Sequence, residues 1–144
     1  MENTLRLRTD LSHDGDGLVR FYIRAEREGF LGSTMASGGE QHPFDLAKAL
    51  AGFPKSPNDS IKFKFGSDGT GTCDLEFQCI DGTGHVTLWI SIEAAYSSRG
   101  SDRFQTATVF MRVEPSAIDR FCAALAGFVA GARNEAILHG VQEY

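Results

Sequence analysis

The sequence predicts an α+β fold of two layers: a mostly antiparallel sheet of about six or seven strands packed against a C-terminal helix, with a second, short helix after the third strand. Three observations carry this. From Thr72 to Ala95 the chain alternates apolar and polar residues with period two on both sides of an Asp81-Gly82 turn, as a hairpin does when one face lies on a core. The connections between most of the other strand-like stretches are short and rich in Gly and Asp, which favours antiparallel neighbours because parallel ones need long crossovers. Finally, Ile118, Phe121, Cys122, Leu125, Phe128 and Val129 recur at helical spacing and form an apolar stripe suited to covering a sheet.

Taken in order, Leu5 and Leu7 alternate with Arg6 and Arg8 in a short first strand. The cluster His13-Asp14-Gly15-Asp16-Gly17 is a turn, because Gly tolerates unusual φ and Asp bonds nearby backbone. A second strand, Leu18 to Glu26, turns Val19, Phe21, Ile23 and Ala25 one way and Arg20, Tyr22, Arg24 and Glu26 the other. A third runs from Phe30 to Ser37, with Gly32 marking a bulge or a close backbone approach. Pro43 suits the first turn of a helix carrying Phe44, Ala47, Leu50 and Ala51, which Gly52, Pro54 and Pro57 end. Ser60 to Phe65 is a fourth strand, followed by the glycine-rich loop 66–71.

In the central hairpin, Cys73, Leu75, Phe77 and Cys79 share a side with Val86, Leu88, Ile90 and Ile92; Asp74, Glu76, Gln78, Thr87, Trp89, Ser91 and Glu93 take the other. A polar loop is expected from Ser97 to Asp102 and a seventh strand from Phe104 to Val113. Pro115 in a first turn, or Ser116 as a cap, opens the main helix; Gly131 and the Asn134 region end it, and Ala136 to Val141 reads as a last helical turn.

Composition narrows the function classes. With 144 residues, 42% of them hydrophobic and 23% charged, the chain suits one globular domain spanning residues 1–144. Most of its 11 Phe belong in the core, since Phe has no polar group to satisfy. A net charge of −5 disfavours non-specific attraction to nucleic acid or anionic membrane, while leaving room for a local basic patch. No apolar run approaches the ~20 residues of a bilayer span. Three cysteines without a CxxC pair argue against a disulfide framework, and cytoplasm is the expected compartment.

No catalytic, cofactor or metal residues are expected. Asp14-Gly15-Asp16-Gly17 echoes a calcium loop but lacks the later oxygen ligands. Cys73 and Cys79 lie ~20 Å apart on an extended strand and cannot share a zinc ion with His85. The four His fall in no triad or metal motif, and the loop 66–71 has neither the Lys-Ser/Thr pair nor the helix of a phosphate loop.

The outward sheet face holds the functional candidates. Arg6, Arg8, Arg20, Tyr22, Arg24, Lys62 and Lys64 give it a basic half; Asp74, Glu76, Trp89, Glu93, Phe104, Phe110 and Arg112 give a more acidic, aromatic half. One reading is a solvated face of cross-strand ion pairs. The other is a contact patch, since interfaces are rich in Trp, Tyr and Arg; Trp89, Glu76, Glu93, Phe110 and Asp74 would then bind a protein partner. The first helix could also cover Trp89. A different class of function, ligand binding or catalysis in a pocket between helix and sheet, stays open beside these.

Three stretches carry a resemblance. Glu28-Gly29-Phe30-Leu31-Gly32 matches a Gly-Phe-x-Gly strand start, Gly84-His85-Val86-Thr87-Leu88-Trp89 matches a Gly-His-Val-x-Leu run, and Val113-Glu114-Pro115 leads into Ile118-Asp119-Arg120-Phe121. From about Leu18 to Leu138 the chain resembles the small bacterial proteins grouped with WapI-type immunity proteins. The resemblance implies a cytoplasmic protein that binds and blocks a toxin domain, and brings no catalytic residues with it.

Overall fold

Among the described residues, eight strands and two helices follow one another: β1 Thr4–Thr9, β2 Val19–Arg27, β3 Phe30–Gly38, α1 His42–Leu50, β4 Ser60–Phe65, β5 Thr72–Cys79, β6 Val86–Ser98, β7 Ser101–Val113, α2 Pro115–Ala126 and β8 Asn134–His139. The computed structural model describes residues 2–13, 15, 17–67, 71–98 and 101–142, with backbone alone at 95–98 and 101–104. The class is α+β with antiparallel pairing throughout, yet the expected single sheet is two sheets of four strands, ordered β3-β2-β1-β8 and β4-β5-β6-β7. The connection carrying α1 is long enough to take the chain from one sheet to the other.

The two sheets pack with their strands crossing. Going along β3, Gly32 lies against Ile92 and Ala107, Thr34 donates its hydroxyl to the Glu93 carbonyl at 3.0 Å, and Met35 and Ala36 meet Gly71 and Gly66. β3 therefore passes in turn beneath β7, β6, β5 and β4, the orthogonal mode of sheet packing. A Cβ on Gly32 would sit 2.8 Å from the Ala107 Cβ, so this strand glycine marks a close approach of the two layers. Inward faces of both sheets supply the core: Leu5, Leu7, Phe21 and Ile23 from one, Leu75, Phe77, Leu88, Ile90 and Met111 from the other.

The helices differ from expectation in place more than in kind. α2 packs on α1 and β8, not across the face of a single sheet, and buries Ala117, Ile118, Phe121 and Leu125. Glu114 precedes it in extended conformation and Pro115 occupies its first turn. It stops at Ala126, so Val129, assigned to the apolar stripe, is 61% exposed; Phe128 is buried beyond the helix end. The last helical turn expected at 136–141 is instead β8, which pairs with β1 from Thr4↔His139 to Thr9↔Asn134. Ala136 and Leu138 point inward there, and the outward Ile137 hides the alternation that would have announced a strand. The expected loop at 97–102 is largely strand, since β6 runs to Ser98 and β7 starts at Ser101. Beyond Glu93, where β5 ends, these two continue as a two-stranded ribbon.

Among the described residues no helix is long and apolar enough to cross a membrane. The three cysteines are free thiols; burial pushes the Cys73 thiol far above its ordinary pKa, and burial, helped by Asp119, raises Cys122. A thiolate is the reactive form. Native protein should therefore leave Cys73 unalkylated at neutral pH, with all three thiols reacting after unfolding; mass spectrometry of both samples checks this.

Candidate functional site

Period-two geometry and unbroken register bring one row of side chains across the outer face of the second sheet. Lys62 pairs with Glu76, Glu76 with Trp89, and Trp89 with Phe110, so the four positions stand abreast on β4, β5, β6 and β7. The next row is Lys64, Asp74, Ser91 and Thr108. Trp89 is 42% exposed and Phe110 47%, with ring centroids 5.0 Å apart and planes tilted by 33°. Helix α1 lies elsewhere, against α2 and β4, and does not cover Trp89.

The row ends on a residue from the other sheet. Arg27, last in β2, sets its guanidinium carbon 4.5 Å from the Phe110 ring centroid, and its Nη1 donates to the Phe110 carbonyl at 3.0 Å. A cation over an aromatic face is held by the ring quadrupole. Cation, Phe and Trp thus form one stacked series at the sheet edge. On the other side of Trp89, the face dips into a depression of about 360 Å3, with Asp74 and Glu76 between Lys62 and Lys64 on one flank and Trp89 and Ser91 on the other. This depression lies on the outer face of a sheet, not between a helix and a sheet.

Four of the five residues singled out from the sequence, Trp89, Phe110, Glu76 and Asp74, therefore converge. Glu93 faces the same way but is half-buried and stands ~13 Å along β6 from Trp89. The side chain of Phe104 falls outside the described residues. The anticipated basic half divides: Lys62 and Lys64 belong here, whereas Arg6, Arg8, Arg20, Tyr22 and Arg24 stand on the outer face of the first sheet. There Arg6 meets Glu135 and Arg24 meets Glu26, each at 3.6 Å, and Arg20 reaches the Met35 sulfur at 3.7 Å.

Sequence reasoning missed Arg27 and Phe30. They face each other across the β2–β3 turn, where Glu28 (φ 50) and Gly29 (φ 86) form a two-residue hairpin loop of the left-handed kind. Such a loop in Arg-Glu-Gly-Phe was a legible signal for a hairpin tip. That the tip reaches β7 follows only from the crossing of the sheets.

A second polar cluster closes the β5–β6 connection. Asp81 Oδ2 lies 2.6 Å from His85 Nδ1, and Asp81 Oδ1 accepts from the Thr83 hydroxyl at 2.7 Å and the Thr83 N–H at 2.8 Å. Bonds from Thr83, then His85, hold the Asp81 carboxyl well below its usual range. A carboxyl depressed on folding contributes stability that is present above its unfolded pKa and lost as pH falls through the lower folded value. An NMR titration should find the Asp81 midpoint below 3.8, and below that of the same residue in Thr83→Ala. Among the described residues no three His, Cys, Asp or Glu side chains are grouped to hold a metal ion. Asp14 and Asp16 of the calcium-like turn, and 68–70 of the glycine-rich loop, are outside the described residues. Comparison with family models, curated proteins and solved structures finds no match.

Proposed function

We propose that this chain is a non-enzymatic protein-binding domain that docks a partner on the outer face of β4–β7. The observation that supports this most is the exposed Trp89–Phe110 pair on the β6–β7 side of an otherwise polar face. Aromatic anchors ringed by polar groups are the common anatomy of an interface. Asp74 and Glu76 beside the anchor would draw a basic region of the partner towards it, while Lys62 and Lys64 would set its orientation. The narrower reading, from the resemblance to immunity proteins, makes that partner a bacterial toxin domain, whose basic substrate-holding surface would complement the two carboxylates.

Co-expression with the toxin-domain candidate encoded nearest to this chain tests the reading. The wild-type chain should restore growth and bind the purified domain. Trp89→Ala should weaken binding roughly 30-fold or more, given that an interface Trp commonly carries two or more kcal/mol. Glu76→Lys should slow association and change its salt dependence. Binding left within about twofold of wild type by Trp89→Ala would reject this face. So would unfolding of that variant, which would make Trp89 a structural residue.

A further inference from the structure

Among the described residues, the edge strands other than β7 pack on other elements or carry charge. β3 lies beneath the second sheet, β8 packs on α2, and β4 touches α1 and carries Lys62 and Lys64 outward. Natural sheets protect their edges in such ways, because an open edge is a template for pairing.

β7 is guarded over only part of its length. The Phe110 carbonyl accepts from Arg27, and the Arg112 carbonyl accepts from the Val141 N–H at 2.7 Å. Both carbonyls therefore point away from β6. The β6–β7 register runs without a bulge from Val86↔Val113 to Ser98↔Ser101, so alternation directs the N–H and C=O of Thr106 and Thr108 outward as well. No hydrogen bond reaches those groups from outside the sheet among the described residues. From Gln105 to Thr108 the strand carries neither charge nor proline, the usual deterrents to pairing.

An independent observation lies beneath the same edge. Phe30 is 73% exposed, although its place in β3 puts it on the inward side with Gly32 and Ala36. Gly32 is under Ala107, so the hairpin tip carrying Phe30 extends past β7, the last strand of the layer above. Phe30 faces the level at which a fifth strand of the second sheet would run.

We propose that two copies of this chain associate through the open part of β7. The two edges pair antiparallel about a two-fold axis, and each added strand covers the Phe30 of the other copy. An antiparallel edge is its own complement, so a second copy always brings a matching edge. The stretch from Gln105 to Thr108 is uncharged, so two such edges meet without like-charge repulsion there. Continuous sheets across a two-fold leave the Trp89 face outward on both copies, and this association does not depend on the partner proposed above.

Sedimentation velocity of the full chain from about 5 to about 300 µM should show a concentration-dependent dimer. Thr108→Pro removes an edge N–H without touching the β6 ladder, and Phe30→Asp places a charge under the added strand; each should weaken dimerisation at least roughly tenfold. Trp89→Ala should leave it unchanged. Hydrogen exchange at the Thr106 and Thr108 amides should slow with concentration in the wild type, while the β4 edge does not change. This measurement needs no variant to fold. A monomer at ~300 µM with rapid exchange at both amides overturns the proposal, including the case in which a different protein's strand uses the edge. A dimer indifferent to Thr108→Pro and Phe30→Asp overturns it too.

Discussion

Leu125→Ala should lower the free energy of unfolding by about 2–5 kcal/mol, read from the shift of a urea denaturation midpoint. Leu125 is fully buried on α2, a helix that packs on α1 and β8, and it shares one core cluster with Leu46 and Leu50 of α1 and Leu138 of β8. Truncation removes apolar burial and leaves a cavity that a helix held on two sides is poorly placed to fill. A domain of this size is stable by only about 5–15 kcal/mol, so the expected loss is a large share of the total. A loss below ~0.5 kcal/mol, the range of an inert surface change, would show that the apolar stripe of α2 does not face the core.

Gly71→Ala should be at least as damaging, by about 3 kcal/mol or more, through crowding and not through lost burial. Its Cβ would overlap the Met35 carbonyl oxygen and lie 2.5 Å from the Thr34 hydroxyl oxygen. The obstacle is largely backbone of β3 at the crossing of the sheets, and backbone cannot swing aside as a long side chain can. Gly82→Ala is the control, for nothing lies within 4 Å of a Cβ built there. Its effect should stay within ~0.5 kcal/mol. Equal melting temperatures for the two variants would mean that β3 does not run this close beneath β5.

The contrast between these glycines marks where sequence reasoning reaches its limit. Strict alternation in 72–79 and 86–94 was enough to place Leu75, Leu88 and Ile90 inside, and Asp74, Glu76 and Trp89 outside. Adjacent antiparallel strands then brought Phe110 to Trp89. Alternation reports a side, however, and not a neighbour. It cannot distinguish one wide sheet from two narrow ones, and so it places the arginines of β1 and β2 on one face with the lysines of β4. Nor could it announce β8, a six-residue strand whose partner is remote in the chain and whose outward Ile137 breaks the pattern. Arg27 and Phe30 owe their positions to the crossing of the layers, where Gly32 lies under the Ala107 Cβ and Gly71 against the Met35 backbone, places in which a side chain would not fit.

The pairing of β1 with β8 also bears on how the molecule is made. Asn134 donates its side-chain amide to the Thr9 carbonyl across 125 residues of chain, and the ladder beside it joins segments equally remote. Contacts this distant close large loops before any reward is collected, so folding should be slow relative to helical proteins of similar length. On a ribosome, β1 to β3 emerge with the β8 side of β1 uncovered and wait for nearly the whole remaining chain. The second sheet has no such delay, because β4 to β7 are consecutive hairpins that can assemble as they appear. In refolding experiments, amide protection should therefore be gained first in β5 and β6, and last where Thr9 meets Asn134.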